Sequence, residues 1–477
     1  MGKILPQIDH IIVVMLENRS LDNLCGWLYS GATPGHFIPQ GSNPSFDGVN
    51  AGLWNPSNSS YFQGQAPEKV FVVEGASSTT VPNPDPEEAF DHITYQLYGP
   101  QGPAPDPRWP MQGFLVDYES VGSSSPDQLM QCYAPAQVPV LSALARNFAI
   151  SDRWFCSTPN QTWPNRCFVH AGTANGNVNN GEIPNPFDWN VLSIFNVLES
   201  MGASWIVFSD TVVTPSLTRA MFPKLWDPFL DGHFQGFPAF QYACSNGSIP
   251  SYSFIEPSFL DDPNDEHPPH DVTAGEEFLH AIWEAVSQSP RWSKILLVIT
   301  YDEHGGCYDH VLPPTNAVSP DQASNPGAEG FHFDRFGVRV PTILVSPYIE
   351  PGTVFRAGVS DSGTPYDHTS ILATIRDWLA IPESLMLPSK RIAAAPHLGQ
   401  VLTRTTPRPD LPTIASPATR SRHVQLAMSQ PINDLQRSLL TASAIRFGLS
   451  PSAVVQSTRT VQDAVKFFKQ RSSMAAS

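Results

Sequence analysis

KILLVITYDEHGG, residues 294–306, is the stretch on which the fold turns. Its apolar run, Lys294–Tyr301, carries no alternation of polar and apolar residues, so it reads as a strand buried on both faces of a sheet. Asp302 and Glu303 leave the end of that strand together, then come His304 and two glycines, Gly305 and Gly306, that let the backbone turn tightly against a ligand. The string HIIVVMLEN, residues 10–18, repeats the design: a strand over His10–Leu16 runs straight into Glu17 and Asn18. Ser204–Ser209 and Arg339–Val345 are runs of the same kind. Helical spacing separates them over Val138–Asn147, Asn190–Met201, Gly275–Ser287 and Ser370–Leu379. Alternating strands and helices predict an α/β fold on a mostly parallel sheet. In such sheets chemistry gathers past the carboxyl ends of the strands, which is where Glu17 and Asp302 stand.

Composition narrows the function. The 477-residue chain has a formal net charge of −17 and only 15% charged residues. Bulk charge of that sign excludes nucleic acid as a partner and disfavours adsorption to anionic membranes. An anionic substrate then needs a local positive site, which a bound cation supplies. The six cysteines form no CxxC pair, which argues against structural zinc and leaves disulfides and free thiols both open. The run Ile11–Leu16 is too short for a membrane span or a signal-peptide core, so the chain is expected to be cytosolic or already stripped of a leader. A long Pro-, Gly- and Asn-rich stretch, Phe37–Pro110, reads as loop insertions. After Pro407 the character changes, and RSLLTASAIRFGL (437–449) and VQDAVKFFKQR (461–471) read as amphipathic helices. The predicted organisation is one large domain over residues 1–405 and a small helical region over 406–477.

Three strings carry chemistry. Glu17-Asn18 offers two hard oxygen ligands at a strand end, although a polar turn with Asn18 as a helix cap fits the same residues. Asp302-Glu303-His304 is harder to explain as solvated surface. STPNQTWPNR, Ser157–Arg166, holds three hydroxyls, Ser157, Thr158 and Thr162, and local pattern does not choose among them as a nucleophile. Asn165 in that string is a donor suited to phosphoryl oxygens. Histidines in polar loops, His92, His267, His270 and His368, either bind phosphate or lie idle on the surface. No GxSxG elbow, Walker loop, GxGxxG or HExxH occurs, which disfavours serine-triad hydrolases, P-loop enzymes, dinucleotide enzymes and zincins.

HIIVVMLENRSLDN, DRWFCSTPNQTWPNRCFVHAGT, NDEHPPHDV, TYDEHGGCYDHV and DHTSILATIRDWL follow one another in an order that resembles the phosphoesterase family of non-specific phospholipases C and acid phosphatases. The resemblance implies an alkaline-phosphatase-like α/β core with a mostly parallel central sheet flanked by helices. It implies one divalent metal ion, held by Glu17, Asn18, Asp302, Glu303 and the nucleophile oxygen; Ca, Mg or Mn suit such ligands best, and Zn or Fe are the alternatives. The nucleophile precedes x-Pro-Asn-Arg, which selects Thr162. Asn165 matches the phosphate-contacting asparagine, His267 and His304 match motif histidines that can act as the general acid, and His92 matches more loosely. His270 and His368 complete the expected substrate-binding group. The chain has Leu21 where the family usually has Phe, a packing change, and it ends in a short helical tail instead of β-rich repeats.

The implied reaction is hydrolysis through a phosphothreonine on Thr162, with a phospholipid headgroup or a small phosphate ester as substrate and transient contact with a membrane surface. A phosphomonoesterase of the same family is the alternative. A sulfatase is disfavoured because Cys156 is followed by Ser-Thr-Pro-Asn and lacks the arginine of a CxPxR string. A non-catalytic binding protein is disfavoured because every matched ligand position is present.

Overall fold

A computed structural model describes residues 4–103, 107–181, 185–211, 213–358, 363–418 and 428–475. Nine strands form the central sheet, in the order Phe234–Gly236, Trp205–Ser209, Tyr252–Glu256, His10–Leu16, Ile295–Tyr301, Thr342–Val345, Ala149–Ser151, Thr353–Phe355, His36–Ile38. The two strands that open the sequence reading lie side by side at its centre and run parallel. Every residue of Ile295–Tyr301 is buried, as are six of the seven in His10–Leu16, so unbroken Ile, Leu and Val is what both faces of this sheet demand.

One strand departs from expectation. The Arg339–Val345 run forms a strand only over Thr342–Val345, and it is antiparallel to both neighbours, Ile295–Tyr301 and Ala149–Ser151. The connection from Asp302 to Pro341 contains no α-helix to carry the chain back across the sheet, so the strand returns in the opposite direction. The remaining pairings are parallel.

The expected helices flank the sheet as Pro139–Asn147, Ile194–Ser200, Val272–Ser287 and Thr369–Trp378. Asp271 caps the third, accepting from Thr273 N–H. The Phe37–Pro110 stretch holds more structure than its composition promised. It contains an antiparallel pair, Trp54–Pro56 with Lys69–Phe71, and a nine-residue helix, Phe90–Tyr98. Ile93 and Leu97 of that helix join Val72, Phe114 and Leu129 in a second apolar core beside the main one. At the carboxyl end, helices Asp434–Arg446, Pro451–Ser457 and Val461–Ala475 follow; residues 419–427 and 476–477 of the predicted tail region lie outside the described residues. Leu435, Leu439 and Leu440 belong to the same apolar core as the sheet, and Gln436 Nε2 donates to the Phe259 carbonyl at 2.9 Å. All six cysteines are buried free thiols.

A buried ion network clamps the long loop after Glu303 onto the short helix Leu21–Cys25. Arg339 donates to Asp22 Oδ1 at 2.9 Å and to Asp309 Oδ1 at 3.0 Å, and its other nitrogen reaches the Asp47 and Asp152 carbonyls. His310 Nδ1 lies 2.6 Å from Asp22 Oδ2, and Nε2 3.3 Å from Asp47 Oδ1. Asp22, Asp309 and His310 have the spacing of metal ligands, but Arg339 already supplies the positive charge. Removing one partner of such a network leaves uncompensated buried charge. Arg339→Met is therefore expected to lower stability by about 3–5 kcal/mol in chemical denaturation. Burial lowers the His310 pKa, but Asp22 and Asp47 outweigh it and push the group up to about 10. The folded state thus holds the His310 proton after the unfolded chain has released it. His310 should contribute stability fully below about pH 6.5, and that contribution should fall away as pH rises toward 10. His310→Gln should flatten the fall, as read from denaturation midpoints across that range.

Candidate active site

Parallel register sets the site. Leu16 stands opposite Tyr301, so the next residues, Glu17 and Asp302, leave the sheet at the same level. Asp302 N–H donates to the Leu16 carbonyl at 3.2 Å, and Asn18 N–H donates to Asp302 Oδ1 at 3.0 Å. Asn18 sits in the left-handed region at φ 51°, a conformation asparagine tolerates better than most side chains. Gly305, at φ +60°, packs against it; a Cβ there would lie 2.3 Å from the Asn18 carbonyl oxygen.

Thr162 begins the helix Thr162–Ala171, all of whose residues are buried. Its Oγ1 lies 3.3 Å from Glu17 Oε2 and 3.4 Å from Asn18 Oδ1. The helix N-terminus adds a positive dipole end beside that oxygen, while the Trp163 N–H is taken by Asn180 Oδ1 at 2.9 Å. One turn on, Arg166 Nε donates to Glu17 Oε1 at 2.8 Å and lies 3.9 Å from Asp302 Oδ2. Thr162, Glu17, Asn18 and Asp302 are thus brought into one buried cluster, and the equally buried Glu303 follows Asp302 at its edge, 3.2 Å from His304 Nδ1.

The two motif histidines join it. A carbonyl only accepts, so His267 Nδ1, 2.7 Å from the Pro268 oxygen, carries a proton and Nε2 is the acceptor for Asn18 Nδ2 at 3.1 Å. That bond also orients Asn18, turning its Oδ1 toward Thr162. Gln96 Nε2 donates to the Glu87 carbonyl and to Asp117 Oδ2, leaving Gln96 Oε1 to accept from His304 Nε2 at 2.9 Å. His304 Nδ1 is buried with no hydrogen-bond partner among the described residues. Burial pushes His267 down to about 4 and His304 down to about 3, so both imidazoles are neutral.

The other predicted residues stand one step back. His368 Nε2 lies 2.6 Å from the Asp302 carbonyl. His270 Nδ1 lies 2.6 Å from Asp265 Oδ1, which also accepts from His267 N–H, while the Asp265 carbonyl accepts from Glu17 N–H. His92 is partly exposed, 2.8 Å from Asp117, and reaches His304 only through Asp117 and Gln96. Asn165 accepts from Thr158 N–H and donates to the carbonyls of Thr158, Asn160 and Gln161. Its amide is committed to shaping the loop before Thr162.

Arg166, Asp85, Glu88, Gln96 and Asp265 enter the site without having stood out in the sequence. Arg166 had a signal, since four residues after Thr162 it shares that helix face. Asp85 and Glu88 lie in the Pro-rich stretch 81–88 and had none beyond their acidity. Glu88 meets both Glu303 and His267, with Oε1 3.4 Å from His267 Nε2.

This donor set fits a divalent cation. Three oxygens, Thr162 Oγ1, Glu17 Oε2 and Asn18 Oδ1, converge, and the Glu17 carboxyl also meets that of Asp302. Asp302 Oδ2 and Glu303 Oε1 are buried without a hydrogen-bond partner among the described residues. Burial is the main cause that raises the pKa of Glu17 and of Glu303 well above the carboxylate range; against Glu17, Arg166 lowers and Asp302 raises. A cation would relieve the crowding directly.

A parallel-sheet enzyme that sets a buried hydroxyl among hard oxygen ligands at its strand ends is built for hydrolysis at an anionic centre. The Phosphoesterase family profile matches residues 8–382, and the chain belongs to that family of hydrolases acting on phosphate esters. It is 34% identical over 461 residues to non-specific phospholipase C3 of Arabidopsis thaliana, covering 94% of this chain and 84% of that one. It is 29% identical over 417 residues to phospholipase C B of Mycobacterium tuberculosis, covering 79% and 74%. Among solved structures, an alkaline phosphatase superfamily protein from Vibrio parahaemolyticus aligns at TM-score 0.31 and 9% identity, over 55% of this chain and 65% of that one.

Gly305→Ala tests the local geometry. The added methyl must displace the Asn18 backbone, and shifts of about 1 Å at reacting groups cost on the order of 10²-fold in rate. Phosphate-ester hydrolysis should fall by about that factor while the far-ultraviolet circular dichroism stays unchanged.

Proposed function

We propose that this protein is a metal-dependent phospholipase C acting on phospholipid headgroups through a phosphothreonine at Thr162. The observation that carries the reading is the meeting of Thr162 Oγ1 with Glu17 Oε2 at 3.3 Å and Asn18 Oδ1 at 3.4 Å, beside the unpartnered oxygens of Asp302 and Glu303. Phospholipase C names in both the plant and the mycobacterial relatives support the substrate class. Glu17, Asn18, Asp302, Glu303 and Thr162 Oγ1 would hold the cation. When bound, it lowers the pKa of the hydroxyl and neutralises charge on the phosphoryl group.

Thr162 Oγ attacks phosphorus, the bond from phosphorus to the lipid alcohol oxygen breaks, and the headgroup phosphate stays on Thr162. His304 Nδ1, the buried imidazole nitrogen without a partner, takes the proton that Thr162 releases and returns it to the departing alcohol. Gln96 keeps the other proton on Nε2 and so fixes the tautomer. In the second step His304 Nδ1 accepts a proton from water, and the water oxygen attacks phosphorus. The bond to Thr162 Oγ breaks, and the proton returns to the hydroxyl. Arg166 holds the Glu17 carboxylate in place throughout. Work on a lipid substrate entails transient contact with a membrane surface.

Thr162→Ala should abolish turnover of p-nitrophenyl phosphorylcholine and leave the thermal midpoint close to that of the parent. Intact-mass analysis of a quenched reaction should show one adduct with the mass of the phosphorylated headgroup, mapping to Thr162. An adduct on another residue, or full activity in Thr162→Ala, would sink the scheme. Prolonged chelation should remove activity, and added divalent metal should restore it. Faster turnover of p-nitrophenyl phosphate than of the diester would make the enzyme a phosphomonoesterase instead.

A further inference from the structure

Beyond the cradle around Thr162, a second group of ligand-type atoms lies in the same buried region. Asp85, Glu88 and His267 each place one ligand atom within 4.8 Å of the others. His267 Nε2 lies 3.4 Å from Glu88 Oε1, and Nδ1 3.6 Å from Asp85 Oδ1. The Pro268 carbonyl holds the proton on Nδ1, so the nitrogen that faces Glu88 is a lone pair. That lone pair accepts from Asn18 Nδ2 at 3.1 Å with Glu88 Oε1 standing beside it, so a cation held by Glu88 would take the lone pair over from the Asn18 amide.

The neighbouring carboxyls point the same way. Glu303 is fully buried, its carboxyl meets that of Glu88, and Glu303 Oε1 has no hydrogen-bond partner among the described residues. The region thus contains two carboxyl–carboxyl meetings, Glu17 with Asp302 and Glu303 with Glu88. Arg166 compensates the first, donating to Glu17 at 2.8 Å. Among the described residues no lysine or arginine pairs with Glu303 or Glu88; each stands beside a neutral imidazole, Glu303 Oε2 3.2 Å from His304 Nδ1 and Glu88 Oε1 3.4 Å from His267 Nε2. Asp85, the part-exposed member of the group, gives it an edge toward solvent.

We infer that Asp85, Glu88 and His267, together with Glu303, form a second divalent-cation site beside the one at Thr162, with Glu303 shared between the two. The inference rests on the proposed first site only for Glu303. A nitrogen–oxygen donor set of this kind suits Mn, Zn or Fe better than Ca.

The test counts ions in the full-length protein. After loading with Mn²⁺ and dialysis, the parent should hold two ions per chain by elemental analysis, and Glu88→Gln and Asp85→Asn should each hold about one. Two Mn²⁺ ions bridged by a carboxylate couple magnetically, so the parent's electron paramagnetic resonance spectrum should differ from that of isolated Mn²⁺, and Glu88→Gln should restore the isolated-ion spectrum. A thermal midpoint on each variant separates ligand loss from misfolding, and Asp85→Asn, at the exposed edge, is the variant least able to disturb the core. One ion per chain in the parent, or two ions retained in both variants, overturns the inference. An unchanged count with weaker binding of choline phosphate in Glu88→Gln also overturns it, and would assign the acidic pair to an ammonium headgroup. Ion counts do not depend on whether Thr162 becomes phosphorylated, so this inference and the proposed reaction fail separately.

Discussion

The pairing of two parallel strands, with Leu16 opposite Tyr301, is the constraint on which the rest depends. Side chains alternate along a strand, so a one-residue slip would turn Glu17 or Asp302 to the other face of the sheet and separate them. The register is held by apolar burial on both faces, a force that has nothing to do with catalysis. The sheet therefore pays the electrostatic cost of the site. Carboxylates that would repel one another in a flexible loop are held together because the strands beneath them cannot shift without exposing Ile, Leu and Val.

The surrounding residues each answer that concentration of negative charge locally. Arg166 neutralises one side of Glu17 from the helix that also presents Thr162. Neutral His267 and His304 turn lone pairs inward because Pro268 and Gln96 hold their protons outward. His368 and His270 fix backbone and carboxylate positions without entering the cluster. A further ring, Arg339 with Asp22, Asp309 and His310, pins the loop that leaves Glu303 to the helix that follows Asn18. The two polar shells differ in kind: the outer one is internally neutralised, whereas the inner one is not.

That difference explains how much was legible in the sequence. Glu17-Asn18 and Asp302-Glu303 were visible because they interrupt long apolar runs, and a buried strand that ends in acids has few structural excuses. The central strands and the helices beside them were legible from the same periodicity. The antiparallel return at Thr342–Val345 was not, because strand direction depends on the route of the loop before it and leaves no mark on the strand's own composition. The Phe90–Tyr98 helix was hidden by aromatic and β-branched residues inside a Pro-rich stretch, and tertiary packing on Phe114 and Leu129 overrides that local propensity. Asp85, Glu88 and Gln96 were illegible for a related reason: their partners, His267, Glu303 and His304, lie far away in sequence. Asn165 shows the converse. Its motif position favoured a ligand contact, and its hydrogen bonds all close on the loop that aims Thr162.

The burial of the cluster bears on the chemistry as well as on stability. Thr162, Glu303, His267 and His304 are each no more than 1% exposed. In a medium of low dielectric, a charge that develops on a phosphoryl oxygen feels nearby cations and dipoles far more strongly than in water. The same medium makes any uncompensated carboxylate costly, so the inner shell cannot be both fully ionised and free of cations. Proton uptake by Glu303 and Glu88 would solve that problem for the fold alone, but protonated carboxyls are poor ligands. A site meant to bind an anion gains when positive charge enters to balance its acids, because the field that holds the carboxylates together then also draws in the phosphate. Under the proposed reading, the acids would be the means by which a chain of net charge −17 builds a positive surface for its substrate.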